Sequence, residues 1–398
     1  MRYFDDLETR SADAREAAQL AALQVQVARV QDGMGSCFPA GAVESLADLA
    51  KFPVLRKSDL SAWQSQQPPF GGMVMGDFSH VFQSPGPIYE PGNAQAPDWW
   101  RFGRFLHGLG IGGADVVQNC FSYHFTPAGM MFENGARAVG AKVFPAGTGQ
   151  TELQARAARD IGATAYAGTP DYLKVILDKA DEMGLALGIT KAAVGGGALF
   201  PSLRQEYADR GIACLQCYAT ADLGNIAYES PAMEGLILDE GVIVEIVTPG
   251  TGDPVAEGEV GEVVVTALNP DYPLIRFATG DMSAMMPGVS PCGRTNARIK
   301  GWMGRADQTA KVKGMFVRPE QVADFVARHD AVAKARVTVT RDGEQDAMAV
   351  QVEATGGDAA AYGASLADIL KLRATVEVVA TGSLPKDGKV IDDQRVYD

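Results

Sequence analysis

The sequence predicts an α/β protein of two domains: a large N-terminal domain built on a helix-flanked, mainly parallel sheet with a β-rich subdomain, and a small α+β domain at the C-terminus. Three observations carry this. The chain has 398 residues, more than a single hydrophobic core usually supports. Between Trp99 and Tyr218, helical and strand periodicities alternate, the pattern of parallel strands joined by helical crossovers. After Gly304 a basic, Gly-punctuated stretch leads into a second, shorter set of elements. The boundaries read are 1–304, with the β-rich part at about 235–300, and 305–398.

Residues 13–30 read as a helix, because Leu20, Leu23, Val27 and Val30 recur at steps of three and four, with Ser11 as its cap. The Pro- and Gly-rich stretch 52–92 reads as irregular loop, long for a connection and therefore a functional candidate. The alternation follows: helix 99–109, strand 116–121, helix 128–139, strand 142–145, helix 152–161, strand 164–167, helix 171–183, strand 192–195, helix 202–210 and strand 212–218. From 235 to 268 short apolar runs separated by turn residues predict antiparallel hairpins. The small domain is read as helix 320–328, strands 335–340 and 347–352, a helix near 366–372 and strand 375–379.

Composition narrows the function. Hydrophobic residues make up 46% and charged residues 21%, the balance of a folded chain. A net charge of -14 argues against a nucleic-acid footprint, which needs clustered Lys and Arg. Asp5, Asp6 and Glu8 in the first ten residues do not suit a signal peptide, and no apolar run reaches spanning length, so a cytoplasmic protein away from membranes is expected. The five cysteines do not suggest a disulfide scaffold; Cys214 and Cys217 have CxxC spacing but lie in an apolar strand, where core packing is the expectation.

Two weak motifs are set aside. Gly108, Gly110 and Gly113 satisfy GxGxxG, but they follow a helix and precede a strand, the reverse of a dinucleotide site. Ser84 lacks a nucleophile elbow, and the four histidines show no triad or metal spacing. In an open parallel sheet, ligands bind beyond the carboxyl ends of strands. Two segments qualify: Gly195, Gly196, Gly197 and Ala198, whose bare backbone would admit a flat ring, and the run Tyr218, Ala219, Thr220, Ala221 and Asp222, which offers an aromatic face and a carboxylate. Ordinary loop punctuation is the alternative for both.

Five segments, in order, carry a resemblance: LAKFPVLRKSDL at 49–60, FPAGTGQTE at 144–152, YPLIRFATGD at 272–281, GRAD at 304–307 with Lys311, Lys313 and Gly314, and LPKDGK at 384–389. Together they resemble the phenylacetate-CoA ligase branch of the acyl-adenylate-forming (AMP-dependent synthetase/ligase) superfamily, over nearly the whole chain. The resemblance implies an enzyme that uses ATP, Mg2+ and coenzyme A. It implies that Gly195 to Ala198, Tyr218 and Ala219 hold the adenine, that Asp281 binds the ribose hydroxyls and that Arg305 assists at the nucleotide. Asp307 matches the hinge, Lys311, Lys313 and Gly314 the coenzyme A path, and Lys389 the lysine that stabilises charge during adenylation. Tyr123, His124 and Phe125 are placed near the acyl group, and Asp222 at the Mg2+-holding carboxylate.

The chain departs from that pattern in three places. The Ser/Thr/Gly-rich phosphate loop with its Lys becomes QSPGPIYE at 83–90, where Ser84 and Gly86 remain, Pro85 and Pro87 lack backbone N–H donors, and an inward-pointing Glu90 would repel pyrophosphate. Asp222 replaces a longer Glu, and the hydroxyl expected at Ala221 is missing. The positions of a structural zinc site in some relatives are Ser230, Leu236, Ser290 and Cys292, and one thiolate cannot hold zinc, so none is expected. The resulting reading is activation of a small-molecule carboxylic acid, aryl or arylacetic, to an acyl adenylate and then an acyl-CoA. A non-CoA acceptor (a carrier protein or an amine), an inactive ligand-binding relative and assembly as a homodimer stay open.

Overall fold

The computed structural model describes residues 2–34, 43–308, 310–312, 315–342, 345–385 and 389–395. They form two compact units, 1–279 with 284–301, and 280–283 with 302–398. In chain order the helices are α1 (Ala12–Met34), α2 (Lys57–Gln66), α3 (Gly103–Gly108), α4 (Ala128–Ala138), α5 (Thr151–Asp160), α6 (Pro170–Glu182), α7 (Pro201–Asp209), α8 (Pro319–Ala327) and α9 (Ala359–Leu370). The strands are β1 (His80–Ser84), β2 (Ile88–Gly92), β3 (Val116–Asn119), β4 (Lys142–Phe144), β5 (Ala165–Gly168), β6 (Lys191–Val194), β7 (Ala213–Thr220), β8 (Gly224–Tyr228), β9 (Leu236–Leu238), β10 (Val242–Val247), β11 (Val260–Ala267), β12 (Phe277–Met286) and β13 (Arg298–Ile299). They continue with β14 (Ala310–Val312), β15 (Met315–Val317), β16 (Val332–Asp342), β17 (Gln345–Ala354), β18 (Thr375–Val379) and β19 (Ile391–Asp393).

An 11-stranded sheet of order β10-β11-β12-β13-β9-β8-β7-β6-β5-β3-β4 organises the larger unit. From β4 to β7 the pairing is parallel; β8 joins β7 antiparallel, so the predicted β-rich stretch continues the same sheet rather than starting a new one. Side chains alternate between the faces of a strand. Accordingly Ala165, Ala167, Ala193 and Leu215 pack against α3 and α4, while Tyr166, Ala192, Val194 and Cys214 pack against α5, α6 and α7. In the smaller unit β18-β17-β16-β19 form a four-stranded sheet whose buried face meets α8 and α9, the α+β arrangement read from the sequence.

Most elements fall where periodicity placed them. Helix α1 buries Leu23, Val27 and Val30, and Ser11 caps it by accepting from Ala14 N at 3.2 Å. Two expectations are corrected. The predicted helix 99–109 starts only at Gly103, because Asp98 and Arg101 take positive φ and the Asp98 carboxylate accepts from Gly103 N at 2.9 Å, capping the helix there. The stretch 52–92 is not irregular throughout: it holds α2 and the β1–β2 hairpin. Asp59 accepts from Arg56 N at 2.9 Å and closes a capping box, Leu60 is buried, and Gln64 exchanges two hydrogen bonds with the backbone of Tyr89, so helix and hairpin brace each other.

Within that hairpin Glu90 turns inward and is only 1% exposed; the Ser84 hydroxyl donates to its carboxylate. Burial pushes the Glu90 carboxyl up to about 8, against the pull of the Ser84 hydrogen bond, with Asp222 reinforcing the rise. A second buried carboxylate, Glu8, pairs with Arg294 Nε and accepts from Tyr228 Oη at 3.0 Å, fastening the N-terminal segment to the sheet.

Two outcomes are expected. The folded-state value of Glu90 lies above its ordinary 4.5, so its stabilising contribution is complete below about pH 4.5 and is lost as pH rises through about 8. Glu90→Gln removes that loss, so melting curves of the variant and the natural chain should diverge in the variant's favour from about pH 5 to about pH 8.5, and a constant difference would contradict the assignment. Removing one partner of the Glu8–Arg294 pair by Glu8→Ala should cost about 3–5 kcal/mol in urea denaturation, and a surface-like loss below about 1 kcal/mol would contradict it.

Candidate active site

The predicted segments of the larger unit meet at the carboxyl ends of β3, β6 and β7. Residues 195–198 leave β6, and Gly196 takes φ +68°, a conformation L side chains rarely adopt. A Cβ on Gly195 would lie 2.9 Å from Cys217 Sγ on the neighbouring β7, so a side chain there would have to displace that thiol. Tyr218 and Ala219 sit at a register shift in β7, which ends at Thr220; Thr220 Oγ1 accepts from Leu223 N at 3.1 Å and shapes the turn that carries Asp222. Sequence reasoning therefore brought together segments that do adjoin.

Beyond β3, Asn119 Nδ2 donates to Tyr123 Oη at 2.8 Å; burial and the Glu133 carboxylate hold that phenol well above its ordinary range, against the pull of the Asn119 hydrogen bond. His124 and Phe125 are exposed, their rings edge to face at 4.6 Å. Gln83 N donates to Phe125 O at 2.9 Å and joins this loop to the hairpin turn. A pocket of ≈ 510 Å³ opens there, lined by Gln83 to Pro87, Phe125 and Thr126. Ser84, Gly86 and Phe125 thus border one space. A larger hollow of ≈ 780 Å³ at the amino end of β7 has Arg204 and Glu229 in its wall, but these satisfy each other at 2.7 Å.

The electrostatics behind the pocket were not read from the sequence. Asp222 has a side chain without exposed surface, and Lys57 Nζ lies 3.0 Å from its Oδ2. Glu90 faces the same cluster, and it occupies the hydroxyl of Ser84. Lys57 was inside the 49–60 segment already singled out, and it is the first residue of α2. Among the zinc-equivalent positions Ser230, Leu236 and Ser290 are buried, and Ser290 Oγ donates to Cys292 Sγ at 3.1 Å.

The smaller unit gathers a second set. Asp281 Oδ1 accepts from Arg305 Nη1 and from Trp302 Nε1, each at 3.1 Å, and the two backbones form an isolated antiparallel bridge. Gly280, at φ +73°, leaves room for the guanidinium, since a Cβ would lie 2.7 Å from Arg305 Nη2. Trp302, 55% exposed, was missed by the sequence reading. The Lys389 side chain is half exposed and rests 2.8 Å from Asp392, whose other oxygen meets Arg336 at 3.1 Å. Asp307 lies in a 3-10 turn, 306–308, and Lys311 in β14; Lys313 and Gly314 fall outside the described residues, as do Lys386 to Gly388.

No protein-family model matches the chain. It is 27% identical over 375 residues to the phenylacetate-coenzyme A ligase of Aromatoleum evansii, covering 88% of this chain and 84% of that protein. The enzyme of the same name from Escherichia coli K12 is 28% identical over 381 residues, with the same coverage. Among solved structures, an open conformation of 2-hydroxyisobutyryl-CoA ligase, in complex with 2-HIB-AMP and CoA, superposes with a TM-score of 0.86 at 21% identity, covering 100% of this chain and 95% of that one. Sequence and structure thus agree: the chain is similar to phenylacetate-coenzyme A ligases over most of its length and shares the fold of 2-hydroxyisobutyryl-CoA ligase.

Proposed function

We propose that the protein activates an aryl or arylacetic acid with ATP to an acyl adenylate and transfers the acyl group to coenzyme A. In the first step a carboxylate oxygen attacks the α-phosphorus and pyrophosphate leaves; in the second the coenzyme A sulfur attacks the acyl carbon, AMP leaves and the thiol proton is released. The observation that carries this reading is the similarity to phenylacetate-coenzyme A ligases along 88% of the chain. Magnesium, arriving on the triphosphate, would neutralise charge on the phosphate oxygens.

The side chains of this chain supply binding and positioning. Residues 195–198 and Tyr218 present backbone and an aromatic face suited to adenine. Asp281, aligned by Arg305 and Trp302, has the acceptor capacity that ribose hydroxyls need. Lys389 is assigned the charge that offsets the gathering negative charge on the transferred phosphate, Asp307 the hinge, and 311–314 the coenzyme A path. Tyr123, His124 and Phe125 are assigned to the acyl group, the two exposed rings lying beside the hairpin turn that holds Ser84 and Gly86. Cytoplasmic residence is part of this reading, supported by its draw on ATP and coenzyme A. A second reading, a ligand-binding relative without turnover, is favoured by one observation: the Ser84 hydroxyl of the phosphate loop is already spent on Glu90.

Pyrophosphate release in the presence of ATP and magnesium, across aryl, arylacetic and short aliphatic acids with and without coenzyme A, separates the two. Acid-dependent release with acyl-CoA formation is expected, and nucleotide binding without release would favour the second reading. Lys389→Ala should lower adenylation by about 100 to 1000-fold, with little change in the KM for ATP. Asp281→Asn should instead raise the KM for ATP by about tenfold or more, the loss of hydrogen bonds to a charged acceptor. Equal effects of both variants on both constants would overturn the division of roles.

A further inference from the structure

The resemblance places a metal-holding carboxylate at Asp222, and the residues around that position do not fit the task. A magnesium ion dehydrates reluctantly and is ordinarily held by one or two carboxylates while keeping several of its waters. Such an ion needs an approach from solvent. The Asp222 side chain has none: it is fully buried, its carboxylate lies 3.0 Å from the Lys57 ammonium, and neither oxygen accepts a hydrogen bond.

The Lys57 side chain is 43% exposed, but the backbone that carries it is fixed in place. Lys57 is the first residue of α2, and three contacts fix that helix. Leu55 pairs with Phe277 and its N–H donates to Arg276 O at 2.9 Å, Asp59 closes the capping box, and Gln64 is clamped to Tyr89. Three elements surround the carboxylate. From β2 comes Glu90, bound by Ser84; from the segment before β12 comes Tyr272, 4% exposed with a hydroxyl that finds no partner; and from α2 comes Lys57. Among the described residues no third Asp, Glu, His or Cys joins Asp222 and Glu90 to complete a metal-ligand set. A divalent ion at the Asp222 carboxylate would meet the Lys57 ammonium within contact distance, and like charges that close repel even where solvent reaches one of them.

We infer that Asp222 is the anchor of Lys57 and not a metal ligand, so that the Lys57 ammonium is the counter-ion at this position. Any magnesium that accompanies ATP is then held by phosphate oxygens and water, independently of this side chain. The consequence is a ligase in which the link between metal and protein at the end of β7 is replaced by a contact within the chain, tying α2 to β7. The metal-alone arm of the test below does not depend on the ligase reading.

The test compares the natural chain with Asp222→Asn, Lys57→Met and the double variant. With manganese as the sole ligand, followed by loss of its free-ion magnetic-resonance signal, uptake by the natural chain and by Asp222→Asn should agree within about twofold. One manganese bound by the natural chain and lost in Asp222→Asn would overturn the inference. In thermal unfolding each single variant should lower Tm, and the double variant should lie no lower than the worse single, because both remove the same contact. Additive losses would overturn it. With ATP, the ratio of affinities in magnesium and in chelator should be the same for Asp222→Asn as for the natural chain, and a collapse of that ratio toward one would overturn it. A natural chain that binds no ATP would count against the ligase reading alone, leaving the manganese and unfolding results to decide the role of Asp222.

Discussion

Strand β7 is the constraint on which the rest of the larger unit depends. Its backbone groups pair with β6 in the parallel sense and with β8 in the antiparallel sense, so one strand joins the helix-flanked half of the sheet to the meander. Its side chains reach three cores: Leu215 lies with α3 and α4, Cys214 with α5 to α7, and Tyr218 with the antiparallel strands. A strand committed on both edges and both faces cannot slip by one residue without inverting every side chain. That rigidity is what places Tyr218 beside residues 195–198 and sets the turn of Asp222. The register shift between Tyr218 and Ala219 re-aims the strand end at this point, a common use of a bulge beside a binding site.

Around this strand the protein buries an unusual set of charges in compensated groups. Asp239, without exposed surface, is met by Arg104 at 3.2 Å and Arg101 at 3.6 Å; Glu240 is met by Arg10 and Arg15; Glu8 by Arg294. Buried ions persist only when paired and hydrogen-bonded, and such pairs fix geometry more than they add stability. The Glu240 and Glu8 pairs tie residues 8–15 to positions more than 200 residues away, so the N-terminal segment is an integral part of the larger unit.

The hairpin turn applies the same rule to the site. A phosphate loop ordinarily turns its donors toward the ligand. In this chain Pro85 and Pro87 have no N–H to offer, and the Ser84 hydroxyl points back to Glu90. The turn is held from behind by Glu90, Gln64 and α2, and it borders the pocket together with Phe125 and Thr126 of the loop after β3. Firm placement with few donors distinguishes it from a loop that closes around its ligand.

The order of elements, the parallel sheet and the segments 195–198, 218–222, 272–281 and 304–307 were legible in the sequence, because side-chain period and glycine placement are local properties of a chain. So was the similarity to phenylacetate-CoA ligases, from motifs in a fixed order. Helix α2 was hidden by the Pro and Gly around it, since capping by Asp59 and burial of Leu60 are visible only once a partner surface exists. The direction of Glu90 was likewise undetermined: period two allows a strand residue to face either side, and only the sheet and helix behind it decide which side is the core. Above all, that Lys57 and Asp222, 165 positions apart, form one pair could come from the tertiary structure alone, because Coulomb attraction acts on distance in space and a sequence records only distance along the chain.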